Sequence, residues 1–160
     1  MKLTLSPACH EPLEIGKLFA EYTDMLLQNA PDFKHYLAQQ NYEEELLHLE
    51  EKYGPPFGRL YLARLDGIPA GCIGLRKIDS ERCEMKRLYV RPVFRGQQIG
   101  HILIQKIIKD AQETGYRRML LDTFPFLRSA IKLYRKFGFY DIPSYNNSPM
   151  DTLIYMQLDL

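Results

Sequence analysis

Tryptophan is absent from this chain of 160 residues, and cysteine is nearly so. The three cysteines, Cys9, Cys72 and Cys83, are widely spaced, odd in number and never form a CxxC. No Cys/His spacing suits zinc, so neither a disulfide framework nor a metal is expected. Reduced thiols fit a cytoplasmic setting. The opening stretch, MKLTLSPACHEPLE, lacks the apolar run of a signal peptide. No apolar stretch is long enough to span a membrane. Neither sign of charge is in excess: Lys+Arg number 21 against Asp+Glu 20, a formal net charge of +1. Nucleic-acid binders usually carry a basic face, so a nucleic-acid partner is not expected. Repeats, linkers and low-complexity tracts are missing too. What remains is 46% hydrophobic and 26% charged, the balance of one globular domain over residues 1–160 with a full core.

Taken in order, residues 3–5 read as an edge-like strand that Ser6-Pro7 breaks. Residues 11–27 carry a helical period through Leu13, Ile15, Leu18, Phe19, Tyr22, Met25 and Leu26, with Pro12 in the first turn. Residues 29–32 form a break. A second helix is expected over 41–52, with Glu43-Glu44-Glu45 as a solvated face. Gly54-Pro55-Pro56 ends it. Residues 59–65 and 68–78 read as hairpin strands around Asp66-Gly67. Gly71 and Gly74 within them mark a bulge or close packing. A third strand spans 82–91. Further on, Pro125 opens a helix through Phe137 that Gly138 caps. A strand at Phe139-Tyr140, a polar loop over 143–149 and a last strand over 152–158 complete the chain.

Residues 85–122, MKRLYVRPVFRGQQIGHILIQKIIKDAQETGYRRMLLD, organise the rest. A strand ends at Arg91-Pro92, a short basic loop follows, and an amphipathic helix leads to an apolar strand at 119–121. Ile99, Ile102, Leu103, Ile107, Ile108 and Ala111 give the helix its buried face. A strand, a tight loop and a helix N-terminus make a place for an anion, because the first-turn N–H groups lack partners and the dipole is positive there. Gly96 lets the backbone approach a ligand, and Arg95 adds a charge that suits phosphate. The spacing is neither that of a P-loop nor that of a dinucleotide fingerprint.

Two segments in order, LYVRPVFRGQQIG and SAIKLYRKFGFYDI, separated by one strand, resemble the GNAT superfamily of acyl-CoA-dependent N-acyltransferases. The first resembles the family's pyrophosphate loop, Arg/Gln-x-x-Gly-x-Gly/Ala; the second resembles its Leu-Tyr-x-x-x-Gly-Phe helix end. Gly100 keeps the loop's second glycine, whereas Gln98 stands where the family has its first, so a positive φ is not expected there. Leu127 likewise replaces a polar residue at the start of the last helix. The likeness covers residues 59–160; residues 1–58 match only in element order. It implies a mixed α/β fold with a mostly antiparallel central sheet, one parallel and splayed strand pair, and about four flanking helices.

The resemblance also implies roles. Acetyl-CoA is the expected co-substrate, held by Leu88, Tyr89 and Val90 along the strand and by Arg95, Gly96, Gln97, Gln98, Ile99, Gly100 and His101 around the pyrophosphate. A main-chain N–H near Leu88 is the expected oxyanion donor. Tyr134 matches the tyrosine that protonates the departing sulfur; the alternative is a ring that only packs. Glu84 is the candidate base, with Asp122 a weaker rival, and a carboxylate of ordinary pKa near 4.3 needs burial to act as one. Neither Cys72 nor Cys83 has a histidine beside it in sequence, so direct attack in a ternary complex is expected. The acceptor is a primary amine of a small molecule or peptide, and a homodimer is left open. A non-catalytic acyl-CoA sensor or scaffold is the alternative; the pairing of Tyr134 with Glu84 favours the enzyme.

Overall fold

The computed structural model describes residues 1–31, 42–146 and 152–160. Asp32 of the expected break, Asn41 of the expected second helix and residues 147–149 of the expected loop lie outside them. Among the described residues five α-helices and seven strands follow in the order β1 (Leu3–Pro7), α1 (Pro12–Asn29), α2 (Tyr42–Leu47), α3 (Leu49–Tyr53), β2 (Arg59–Leu65), β3 (Ile68–Lys77), β4 (Arg82–Val90), α4 (Ile99–Thr114), β5 (Arg118–Thr123), α5 (Arg128–Phe137), β6 (Tyr140–Ile142) and β7 (Ile154–Asp159). None of these helices is long and apolar enough to cross a membrane.

Three of the boundaries that differ from expectation have a plain local reason. β1 runs through Pro7, which pairs with Tyr61; β1 is an edge strand, one of the places where a sheet tolerates proline. The expected helix over 41–52 is two helices, parted at His48. The break turns the chain so that Leu49 and Tyr53 are buried while Leu47 stays exposed. The last helix begins at Arg128 rather than at Pro125. Residues 124–127 form a turn, with Leu127 N–H bonded to the Phe124 carbonyl, and Phe124 packs against Leu26. Leu127 sits at the N-cap, where its apolar side chain can offer no cap hydrogen bond.

The strands lie in the order β1-β2-β3-β4-β5-β7-β6. Every neighbouring pair is antiparallel except β4–β5, which is parallel and joined by α4. Alternation along β2 sends Leu60 and Leu62 to one face and Tyr61, Ala63 and Leu65 to the other. The first face is covered by Ile15, Leu18 and Phe19 of α1 with Leu49 and Tyr53 of α3. The second packs against Leu103, Ile104, Ile107 and Ala111 of α4. Glycines serve close approach: a Cβ at Gly74 would lie 2.8 Å from the Tyr53 ring, and one at Gly71 2.6 Å from the Tyr89 carbonyl oxygen.

β4 carries a bulge. Cys72 pairs with Tyr89 and Gly74 with Lys86, so Arg87 and Leu88 together oppose Ile73. Arg87 has φ +61°, a left-handed conformation that costs a side-chain-bearing residue free energy. The extra residue flips the strand's phase. Before it, Cys83 and Met85 face α4; after it, Leu88 and Val90 do, and Tyr89 turns to the α1 side.

The acidic run is not simply a solvated face. Glu44 is exposed, but the Glu45 side chain is only 5% exposed and reaches this bulge. Its carboxylate accepts from Arg87 Nη2 at 2.9 Å and Nε at 3.2 Å, from the Tyr53 hydroxyl at 2.9 Å, and from Lys52. Burial pushes the Glu45 carboxyl up, but Arg87 and Lys52 outweigh it and hold the pKa down at about 2.

Candidate active site

β4 and β5 pair only at Arg82 with Arg118, Cys83 with Met119 and Glu84 with Leu120. Beyond those pairs β4 continues to Val90 and β5 to Thr123 with no shared ladder. Beside this parting lies a groove of about 740 Å³ walled by the end of β4, α1, the N-terminus of α4 and α5. Every residue expected to hold the coenzyme lines it except Gln97: Leu88, Tyr89, Val90, Arg95, Gly96, Gln98, Ile99, Gly100 and His101. The N–H groups of Ile99, Gly100 and His101 make no hydrogen bond to a described residue, as the first turn of a helix dictates. Arg95 is tethered, its Nε donating to the Val90 carbonyl at 3.2 Å. The His101 ring lies against Phe137, with centroids 4.8 Å apart.

Gln98 contradicts its sequence-based expectation. It is the N-cap residue of α4 at φ +63°, ψ +18°, so the left-handed turn is kept without glycine. The chain must reverse between the 3₁₀ turn at Pro92–Phe94 and the helix axis, and Gln98 bears the steric cost. Gln98→Gly should therefore raise stability by about 1 kcal/mol, net of the greater freedom glycine gains on unfolding. For a chain of this size that is roughly 2–4 °C in Tm by scanning calorimetry. A lower Tm would show that the glutamine side chain contributes more than its backbone costs.

A second, smaller cavity of about 50 Å³ opens beside the groove. Its walls include Lys86, Arg87, Asp122, Thr123, Leu26, Phe124 and Leu153. Tyr22, Leu88 and Tyr134 line both spaces and so stand where they meet. The Tyr134 ring is 7% exposed and packs on Phe139 at 5.8 Å, yet its hydroxyl makes no hydrogen bond to a described residue. Burial, with smaller effects from Tyr22 and Asp122, raises its pKa far above that of a free phenol. The proton therefore stays on Tyr134 until a strong base forms beside it.

The two carboxylates differ. Glu84 is buried but lines neither cavity. Oε1 accepts from Arg76 Nε at 2.6 Å and Oε2 from the Tyr145 hydroxyl at 2.5 Å. Burial raises its pKa, but Lys86, Arg76 and Tyr145 together bring it below the ordinary glutamate value. Such a carboxylate is a weak proton acceptor with both oxygens engaged. Asp122 faces the small cavity with Tyr134, and burial raises its pKa despite the opposing pull of Lys86. Asn146 Nδ2 donates to Asp122 Oδ2 at 3.1 Å and is itself held by the Tyr155 hydroxyl.

The first helix is expected from the sequence to help shape the acceptor pocket, but no residue of α1 is singled out there. Tyr22, Met25 and Asn29 line the large groove, and Tyr22 has its pKa pushed up to about 12 by burial. Arg128, Ser129 and Lys136 of α5 line the groove as well.

The acetyltransferase (GNAT) family profile matches residues 21–139. An uncharacterized N-acetyltransferase of Schizosaccharomyces pombe is 39% identical over 139 residues, 85% of each chain. The PaiA N-acetyltransferase of Thermoplasma acidophilum, solved in complex with coenzyme A, superposes with a TM-score of 0.80 over the full length of both chains at 16% identity. A GNAT family acetyltransferase from Elizabethkingia anophelis, solved with acetyl-CoA bound, gives a TM-score of 0.56 and 27% identity over 64% of this chain and 76% of that one.

Proposed function

The chain belongs to the acetyltransferase (GNAT) family, and from that premise we propose that it moves the acetyl group of acetyl-CoA to a primary amine of a small molecule or peptide by direct attack in a ternary complex. The observation that carries this reading is Tyr134, a buried phenol with no hydrogen bond to a described residue, at the junction of a coenzyme-sized groove and a small polar cavity. Acetyl-CoA supplies the acyl group as a thioester. The free amides of Ile99, Gly100 and His101 and the charge of Arg95 suit its pyrophosphate. Beyond Glu84 β4 stays paired with β3 but has no ladder with β5, so the amides on its β5 side can hold the pantetheine arm and donate to the carbonyl oxygen as charge grows there. Tyr134 gives its proton to the departing sulfur. The three free cysteines fit action in a reducing compartment.

Asp122 is the better placed base, since it shares the small cavity with Tyr134 and Glu84 does not. Its raised pKa makes it a stronger acceptor than an ordinary aspartate. The sign follows: Asp122 acts ionised, so kcat/KM should fall as pH drops through a value above the usual aspartate range. Asp122→Asn should lower kcat/KM about 100-fold or more, and least at high pH, where more amine is already neutral. Glu84→Gln should mainly lower stability, because it strips Arg76 and Tyr145 of their shared carboxylate. A larger catalytic loss in Glu84→Gln than in Asp122→Asn would return the role to Glu84. The overall reading is tested by calorimetric binding of acetyl-CoA together with thiol release in the presence of a panel of amines; no binding would refute it.

A further inference from the structure

Two neighbouring residues after β6 hold the two carboxylates of the β4–β5 parting. The Tyr145 hydroxyl donates to Glu84 Oε2 at 2.5 Å, and Asn146 Nδ2 donates to Asp122 Oδ2 at 3.1 Å. Chemistry dictates which way the Asn146 amide points. An ionised carboxylate only accepts, so the nitrogen must face Asp122. On its other side the Tyr155 hydroxyl donates to Asn146 Oδ1 at 3.1 Å. Tyr155 is itself well placed. It is the cross-strand partner of Asp122 on β7, and its ring meets that of Tyr145 edge-on, with centroids 5.4 Å apart.

Asp122 Oδ1 accepts no hydrogen bond from a described residue. The carboxylate is thus held by one oxygen and has the other to offer. It lines the cavity that Tyr134 also lines, whose volume of about 50 Å³ admits the reacting end of an acceptor rather than its whole. The charged and titratable groups that face Asp122 are Lys86, Glu84 and Arg87 of β4, Tyr22 of α1, Tyr134 of α5 and Tyr145. Among the described residues only Asn146 hydrogen-bonds the side chain. We propose that Asn146 is a positioning residue of the reaction: its amide, set by Tyr155, holds the Asp122 carboxylate so that Oδ1 meets the incoming amine. This rests on the acetyltransferase reading with Asp122 as base. The amine nitrogen bonds to the thioester carbonyl carbon and the carbon–sulfur bond breaks. Oδ1 takes one amine proton, and Tyr134 gives one to the sulfur. The proton on Asp122 then passes to the Tyr134 phenolate, so the net transfer is from nitrogen to sulfur. A carboxylate without the Asn146 tether would turn among rotamers and meet the nitrogen less often. The same hydrogen bond favours the ionised acid, so Asp122 works at a lower pH than its burial alone would allow.

The test compares Asn146→Ala, Asn146→Asp, Tyr155→Phe and Tyr145→Phe with the wild type. Rates are read as thiol release from acetyl-CoA with the amine of the panel that is turned over fastest, corrected for its neutral fraction. Asn146→Ala should lower kcat about 10-fold on the high-pH plateau, where Asp122 is ionised in both proteins, with KM for acetyl-CoA unchanged. It should also move the acid limb of kcat/KM up by about one pH unit, because the lost donor served the ionised form. Asn146→Asp, close in shape, puts a like charge where the donor was and should move the limb further. Tyr155→Phe should act as Asn146→Ala does, to a smaller degree. Tyr145→Phe loosens the same segment but releases only Glu84, so limb and plateau should both stay. An unchanged plateau in Asn146→Ala would overturn the positioning role. So would equal losses in Tyr145→Phe, which would make anchoring of the segment the cause. An acid limb that survives in Asp122→Asn would overturn the base, and the role of Asn146 with it, and leave acetyl transfer standing. Failure of every amine to release thiol would overturn the acetyltransferase reading as well.

Discussion

Replacing Tyr134 by phenylalanine should lower kcat by about two to three orders of magnitude while leaving acetyl-CoA affinity nearly unchanged. The ring is held by burial and by Phe139, and phenylalanine keeps both contacts. What is lost is one hydroxyl that no described residue bonds. Removing it therefore strands no donor or acceptor of a described residue, and the fold should not suffer. The hydroxyl matters only when sulfur departs with negative charge, so the loss falls on the transition state rather than on binding. The raised pKa of Tyr134 keeps the proton in place across the working range, and the Tyr134→Phe rate ratio should be flat with pH through neutrality. Single-turnover rates and calorimetric affinities, measured side by side, decide the matter. Full kcat in the mutant, where chemistry limits the rate, would make Tyr134 a packing residue.

Glu45→Ala should cost about 3–5 kcal/mol of unfolding free energy, the usual penalty for removing one partner of a buried ion pair. Glu45 is where Arg87, Lys52 and Tyr53 converge, and Arg87 is the residue held at φ +61° in the β4 bulge. The substitution removes the carboxylate that helps hold that backbone in an unfavourable region. Activity should fall with it, because the bulge sets which face of β4 Leu88 and Val90 present. The pH dependence has a definite sign. The folded-state pKa of Glu45 is depressed from 4.5 to about 2, so its contribution is fully present above the ordinary value and lost as pH falls toward 2. The gap between wild type and Glu45→Ala, read from denaturant titrations, should shrink progressively across that window. A gap that holds constant from neutral pH down to 2 would show that the loss is packing and not charge.

Much of the architecture is legible locally. The period of Ile99 to Ala111 writes α4, and Asp66-Gly67 writes a hairpin turn with φ of +51° and +83°. The β4 bulge is not legible in the same way: Leu88, Tyr89 and Val90 are consecutive apolar residues that pack on both faces of the strand, so no change of phase shows in the residue pattern. The candidate site was harder because its properties come from partners distant in sequence. Glu84 and Asp122 are both single carboxylates on strands; Arg76 across the hairpin and Tyr145 after β6 separate their chemistry. Tyr22 hid within an apolar helical pattern because a tyrosine both packs and presents a hydroxyl. Glu45 hid within a run of three acids, of which burial singles out one that repetition conceals.

The three pairs that join β4 to β5 have a mechanical meaning. By hydrogen bonding the seven strands are one sheet, but their pairing divides them into two leaves, β1–β4 and β5–β7, joined along a short spine. On the side of α4 the spine is covered, since Met119, Leu121, Met156 and Leu158 share one core with Leu103 and Ile107. On the far side the leaves diverge. The small cavity sits in that divergence, with Met85 to Leu88 of one leaf and Leu121 to Thr123 of the other on its walls. A molecule bound there would touch both leaves at once, and binding to the folded state alone would tie them together.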